Sequence, residues 1–351
     1  MQEHHSRTGR SKLRSLVSIA LIVAVVAAAF AATAGWLTPS RLTPHKIVDV
    51  LAPPGGAALG FRRNHAKGVC ITCSFESNGN GVALSSAHVF QAGSYPATGR
   101  LNLATPDPKT PDGMSRVRGL GLRIVAPDRQ EWRSAMIDAP FFPVATPQAF
   151  YELQKASADK ADPDAMKKFA AAHPEIAAFG QWAQSAPFTA SFVESRFNSL
   201  NSFVFSDAAG HDSVVRWSFV PVAQAVAVSG EDIKQRDPDF LSQDLRDRVG
   251  QQPARWKLEV TVAEPGDPSA DPSRAWPEVR KSVDVGTLVV TRIEAEADGP
   301  CRELNFDPTV LPAGMRVSDD PFPAARSAAY SVSYNRRTAE ENDYPHQGGQ
   351  P

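Results

Sequence analysis

The sequence predicts an α+β fold: antiparallel strands closed as a barrel or stacked as a sandwich, a block of inserted helices, a C-terminal helix and an N-terminal transmembrane helix. Three observations predict it. Apolar residues alternate with period two in several segments that no helix separates. Residues 147–184 are rich in Ala, Lys, Gln and Met, which favour helix. A long uncharged apolar run follows a basic N-terminal flank.

The N-terminal element is the most physically explicit. Arg7, Arg10, Lys12 and Arg14 precede an uncharged run from Ser15 to Ser40, whose apolar centre is Leu16 to Leu37. That length crosses a bilayer as a helix, and the basic flank predicts a cytoplasmic N-terminus with the remainder exported. Trp36 stands where an interfacial aromatic belongs, which favours an uncleaved anchor. Ala32-Thr33-Ala34 offers the alternative of a cleavable signal peptide.

The 351 residues, 42% hydrophobic and 21% charged, suffice for one large core or two modest domains. Lys and Arg number 37 against 38 Asp and Glu, a net charge of -1. Such a balance lacks the broad basic surface a phosphate backbone requires, so nucleic acid is not an expected partner. Prolines gather at 105–111 and 265–277, which read as surface connections.

Pro44 to Leu51 reads as a short helix, followed by a Pro53-Pro54-Gly55-Gly56 turn. In the next segment Val69, Ile71, Cys73 and Phe75 alternate with Cys70, Thr72 and Ser74, a strand pattern. Further strands are expected at Arg118 to Val125, Ser202 to Phe205, Val214 to Val220, Trp256 to Val262 and Val285 to Ile293. Helices are expected at Pro147 to Lys160, Asp164 to Ala172 and Pro174 to Gln184. Near the end, Pro323 to Arg337 contains no Gly, and its only Pro suits a first turn, so a helix is favoured. At 100° per residue it sets Arg326, Tyr330, Tyr334 and Arg337 on one face. Beyond Glu341 the polar, Gly- and Pro-containing tail is expected to be frayed.

Cys70 and Cys73 cannot pair within a strand, because residues three apart lie about 10 Å apart on opposite faces. No second Cys or His pair completes a zinc site. Cys70, Cys73 and Cys301 are therefore expected as small buried residues. His65 stands just before the first strand in Arg62-Arg63-Asn64-His65-Ala66-Lys67-Gly68. By itself, a histidine at the mouth of a strand is ordinarily structural, and a helix face of Arg and Tyr is ordinarily amphipathic packing.

Together these segments resemble the haem catalases, and most closely the shorter catalase-related peroxidases. Arg62-x-x-His65-Ala66-Lys67-Gly68 resembles the family's distal-histidine motif. Phe306-Asp307-Pro308, Pro312-Ala313-Gly314 and Arg326-x-x-x-Tyr330 resemble its proximal region in the same order. Arg116-x-Arg118-Gly119, Pro140-x-Phe142, Asp237-Pro238-Asp239-Phe240, Trp256-Lys257-Leu258 and Val285-Gly286-Thr287-Leu288 follow the family between them. The likeness runs from about Leu42 to Arg337.

The resemblance implies a catalase-like antiparallel β-barrel binding haem b. His65 would be the acid/base catalyst and Tyr330 the axial ligand to the iron, supported by Arg326. Arg62, Arg100 and Arg337 match the positions that hold haem propionates, and Phe142 and Phe150 those that shape the pocket. Residues 1–14 would be a cytoplasmic segment, 15–37 the anchor or signal, 38–340 the haem domain and 341–351 a tail. Localisation would be the bacterial inner membrane with the haem domain periplasmic, or the periplasm after cleavage.

Departures from the family pattern shape the expected activity. With Pro140 as anchor, Asp138 stands where the family usually has an asparagine, and is counted with His65 as a catalytic candidate. Asn102 replaces the usual serine two residues after Arg100. The chain has short arms on both sides of the likeness, so the full catalase tetramer is not expected, and the sequence leaves the oligomeric state open. These features favour a peroxidase that reduces hydrogen peroxide or organic hydroperoxides with a small-molecule electron donor. The alternatives are a catalase dismuting hydrogen peroxide, a haem-binding protein without turnover, or a barrel without haem.

Overall fold

The computed structural model describes residues 4–36, 38, 40–53, 55–340 and 342. Leu37, Pro54 and all of the expected tail except residue 342 lie outside them, as do the side chains of the basic flank up to Lys12. The chain divides into two units, Met1–Thr43 and Pro44–Pro351. The first carries helix α1 (His4–Thr33), which takes in the basic flank and ends earlier than the apolar run suggests. Within it, Leu13–Thr33 is long and apolar enough to cross a membrane.

In the second unit eight antiparallel strands close on themselves. They are β1 (Gly68–Ser77), β2 (Gly93–Leu103), β3 (Arg118–Val125), β4 (Glu131–Ile137), β5 (Phe197–Asn198), β6 (Asp212–Pro221), β7 (Ala254–Val262) and β8 (Ser282–Ala295). Their order is β7-β8-β1-β2-β3-β4-β5-β6, and β6 pairs back to β7, which makes the sheet a barrel rather than a sandwich. Closure leaves those strands without open edges. The short strands Phe203–Ser206 and Met315–Val317 extend the sheet beside β6.

The barrel interior is filled by the residues that produce the period-two signal. Ile71 and Phe75 of β1, Leu101 of β2, Trp217 and Phe219 of β6 and Leu258 of β7 are all buried in one core. Each such side chain removed from water stabilises the fold by about 1.5–3 kcal/mol. Two tryptophans bring a polar edge into that core, and each finds an acceptor. Trp217 Nε1–H donates to Ser134 Oγ at 3.1 Å, and Trp256 Nε1–H to the Ser195 carbonyl at 3.0 Å.

The expected helices form outside the barrel: α2 (Pro44–Asp49), α3 (Pro147–Ala158), α4 (Ala165–Ala172), α5 (Ile176–Ser185) and α8 (Phe322–Ala339). Thr146 caps α3 by accepting the Ala149 N–H at 3.1 Å, with Pro147 in the first turn. Two helices not read from the sequence, α6 (Gly230–Lys234) and α7 (Phe240–Gln251), follow the β6 connection. A second, smaller core joins Val144, Ala149, Leu153 and Phe169 to Phe322 at the start of α8, with Phe142 and Phe150 packed against it. This cluster fixes the inserted helices to the helix that carries Tyr330.

Candidate haem site

One cavity of about 550 Å³ lies between the barrel, the inserted helices and α8. It is lined by His65, Arg62, Arg100, Phe142, Phe150, Arg326, Tyr330 and Arg337, residues drawn from positions 62 to 337 of the chain. Asn102 and Tyr334 line it as well.

His65 is held by backbone and side chain together. Its φ of 55° is in the left-handed region, uncommon for a side-chain-bearing residue, and Asn64 Oδ1 accepts its N–H at 2.8 Å. Nδ1 lies 2.6 Å from Asn102 Oδ1. Since that oxygen can only accept, Nδ1 carries the hydrogen and Nε2 keeps its lone pair. Burial pushes the imidazole down to about 4; the Asn102 bond opposes this, and the cations Arg100, Arg326 and Arg62 add to it. The ring is neutral at physiological pH.

Two glycines of the motifs make room for this arrangement. A Cβ on Gly119 would stand 2.4 Å from Asn102 Oδ1, and one on Gly68 would stand 2.6 Å from the Arg100 guanidinium carbon. The Gly in each motif is therefore a steric requirement of the side chain beside it.

On the other wall, one turn of α8 separates Arg326 from Tyr330, and the Arg326 Nη2–H donates to Tyr330 Oη at 3.0 Å. The same nitrogen donates to the Ala135 carbonyl at 2.7 Å, and Nη1 to Asn201 Oδ1 at 2.5 Å. Asn201 in turn donates from Nδ2 to Asp320 Oδ2 at 2.9 Å. Asp320 also accepts the Phe322 N–H that starts the helix, at 2.8 Å. A buried carboxylate is thus connected through an amide and a guanidinium to the phenol.

Arg62 and Arg100 meet on Glu296, at 3.1 Å to Oε1 and 2.5 Å to Oε2. Arg62 also donates to the carbonyls of Cys301, Arg302 and Leu304, and Arg337 donates to the Arg302 carbonyl too. Burial, then the neighbouring Arg100, lowers the Arg62 guanidinium to about 10, so it stays cationic at neutral pH.

Asp138 is the one expected site residue that does not line the cavity. Ile137, the last residue of β4, does, and in an extended chain the next side chain turns to the opposite face. The Asp138 carboxylate instead accepts the Arg118 N–H at 2.9 Å. Burial raises it to about 6, against the Arg118 amide and the Arg118 and Arg116 guanidiniums.

The cysteines also differ from expectation. Cys70 and Cys301 form a disulfide with Cα atoms 5.3 Å apart, while Cys73 alone is the small buried thiol anticipated. Cys70 lies on the strand face opposite Cys73, outside the barrel core, where it packs with Phe306. Sequence alternation separates the two faces, but it does not disclose a partner 231 residues away. Asn201 and Glu296 were equally silent, being single polar residues beside strands with no motif spacing.

The residues fit haem on three counts. Tyr330 presents a phenol oxygen to the cavity with a guanidinium beside it. Buried Arg100 Nε has, among the described residues, no hydrogen-bond partner, and so leaves a donor available. Phe142 and Phe150, with ring centroids 5.6 Å apart, supply an aromatic wall for a planar macrocycle.

A closed eight-stranded antiparallel barrel with a histidine wall and an arginine–tyrosine wall on one cavity defines the chain's class, and comparison with known proteins agrees. The profile of the family described as Catalase matches residues 31–344, and the chain belongs to that family. It is 31% identical over 329 residues to the catalase-related peroxidase of Synechococcus elongatus, covering 92% of this chain and 95% of the relative. Identity to the catalase-related peroxidase of Mycolicibacterium paratuberculosis is also 31%, over 85% of this chain and 95% of that one. A catalase of Listeria innocua is 29% identical over 42% of this chain and 33% of its own length. Among solved structures, a bacterial catalase superposes with a TM-score of 0.70 at 18% identity, covering 81% of this chain and 59% of its own. A fungal catalase gives 0.70 at 16% identity, covering 79% and 59%. Catalase-family proteins bind haem.

Proposed function

We propose that the chain is a haem peroxidase that reduces hydrogen peroxide or organic hydroperoxides with electrons from an external small-molecule donor, using haem b. The observation that carries this reading is the pairing, on one cavity, of a neutral His65 fixed by Asn102 with Tyr330 beside Arg326. Peroxidase rather than catalase action is supported by the two relatives of that name, matched over nearly their whole length.

Haem, when bound, supplies the redox-active iron at which the O–O bond is reduced. Tyr330 would be its protein ligand, with Arg326 offsetting the phenolate charge, and Arg62, Arg100 and Arg337 would pair with its propionates. His65 Nε2 accepts the proton of the incoming hydroperoxide and returns it to the departing oxygen, which leaves as water or alcohol. Asn102 keeps Nδ1 protonated throughout, so Nε2 remains the basic nitrogen. Overall, two electrons and two protons convert the hydroperoxide to water and water, or water and alcohol, while the donor is oxidised.

Leu13–Thr33 supports a single-pass anchor in a bacterial inner membrane with the catalytic unit periplasmic; cleavage near Ala32-Thr33-Ala34 would release it. The Cys70–Cys301 disulfide supports export, since such bonds persist in oxidising compartments.

The test is an absorption spectrum of protein expressed with haem supply, before and after peroxide, followed by donor oxidation. The expected result is a Soret band that peroxide perturbs and a donor restores. A protein without that band overturns the haem reading; one with the band that evolves oxygen without consuming donor is a catalase. Tyr330→Phe is expected to lose most of its haem.

A further inference from the structure

The arginine cluster contains a residue that neither the motifs nor the peroxide chemistry calls for. Glu296 follows the last residue of β8 and is 9% exposed. It does not line the large cavity; it lines a second one of about 410 Å³, bounded by Ala66 to Val69. Its two oxygens are divided, Oε1 on Arg62 and Oε2 on Arg100. Both arginines line the large cavity, so the carboxylate stands behind them and faces them from the far side.

Removing a carboxylate from water is costly unless cations repay it. Burial alone would raise Glu296, but Arg100 and Arg62 more than offset it and hold the carboxyl below its usual range, so it is ionised at neutral pH. Its charge has a consequence for the cavity. Besides Arg326 beside Tyr330, four arginines line the cavity, Arg62, Arg63, Arg100 and Arg337; Glu340 pairs with Arg63, and Glu296 cancels one more charge. Two remain, the number that matches a ligand with two carboxylates.

We infer that Glu296 is a positioning residue that aligns Arg62 and Arg100 for the two propionates of haem and trims the cluster's charge to match them. This rests on the haem reading above. The carboxylate uses Arg62 Nε and one Arg100 Nη2 contact, while Arg100 Nε remains without a partner among the described residues. Without Glu296, Arg62 keeps its carbonyl acceptors and Arg100 keeps the Ala66 carbonyl, but the two buried guanidiniums face each other with no common anion to set one against the other.

Two substitutions separate geometry from charge. Glu296→Gln keeps the shape but removes the charge and presents an amide N–H to one guanidinium. Glu296→Asp keeps the charge and shortens the reach. Haem transfer from the full-length holoprotein to an excess of apomyoglobin, and the ferric/ferrous midpoint potential, are the readouts. Both variants should lose haem roughly tenfold or more faster, the scale typical of outer-shell partners. Only Glu296→Gln should raise the potential, because loss of a buried negative charge favours the ferrous state. Haem-loaded wild type with both variants unchanged in transfer rate and potential overturns the assignment. If Glu296→Gln does not fold, Glu296→Asp decides it by transfer rate. Wild type that takes up no haem overturns the haem reading and this inference with it.

Discussion

Asn102 Oδ1 lies 2.6 Å from His65 Nδ1 and sets the tautomer of the histidine. Asn102→Leu removes the acceptor and the Nδ2–H bond to the Arg100 carbonyl while leaving the backbone ladder of β2 in place. It is expected to retain haem and to react with peroxide roughly ten- to a hundredfold more slowly. Asn102→Asp should instead favour the imidazolium and move the acid limb of the rate profile to higher pH. Stopped-flow rates across pH check both, and wild-type profiles in both variants would remove Asn102 from the mechanism.

The depressed basicity of His65 gives a pH dependence with a definite sign. The ordinary value is 6.5 and the folded value about 4, so between them the unfolded chain holds a proton that the folded protein does not. The stability this group contributes is complete above 6.5 and disappears as pH falls towards 4. Denaturation midpoints of wild type and His65→Gln should therefore diverge over this interval, with wild type losing more on acidification. The rate of reaction with peroxide should be flat at neutral pH and fall only near 4.

Asp138 predicts the opposite slope. Its folded value of about 6 exceeds the ordinary 3.8, so its contribution to stability is present below 3.8 and is lost as pH rises through 6. Asp138→Asn should gain stability relative to wild type between those limits, keep an acceptor for the Arg118 N–H, and leave the peroxide rate unchanged. A large loss of rate would return Asp138 to the catalytic set.

The Cys70–Cys301 disulfide closes a span of 231 residues. Replacing both cysteines by alanine should cost about 2–4 kcal/mol. Urea unfolding of wild type with and without reductant, compared with the double variant, measures it. Wild type insensitive to reductant would show the bond to be thermodynamically idle.

The regular parts of this molecule were legible because their signal is local. Trp256, Leu258 and Val260 announce β7 by alternation alone, and the Arg326–Tyr330 spacing is a property of one helix. Strands β2 and β4 carry no clean alternation, because Pro96 and Gly99 interrupt the first and buried Ser134 the second. Ser134 is inside because Trp217 needs an acceptor, a requirement visible only after β4 and β6 are brought together. Asp138 shows the limit of positional matching: one step along an extended chain moves a side chain from the cavity wall to Arg118. Glu296, Asn201 and Cys301 act through partners far away in sequence, which no window along the chain contains.

The disulfide joins the first barrel strand to the segment whose carbonyls receive Arg62 and Arg337. The arginine end of the cavity is therefore completed late in synthesis, because Cys301 lies 231 residues beyond the strand cysteine it joins. A chain in which that bond is open still carries its guanidiniums on the β1 approach, on β2 and on α8, but the carbonyls that receive Arg62 and Arg337 sit on a segment with no covalent tie to β1.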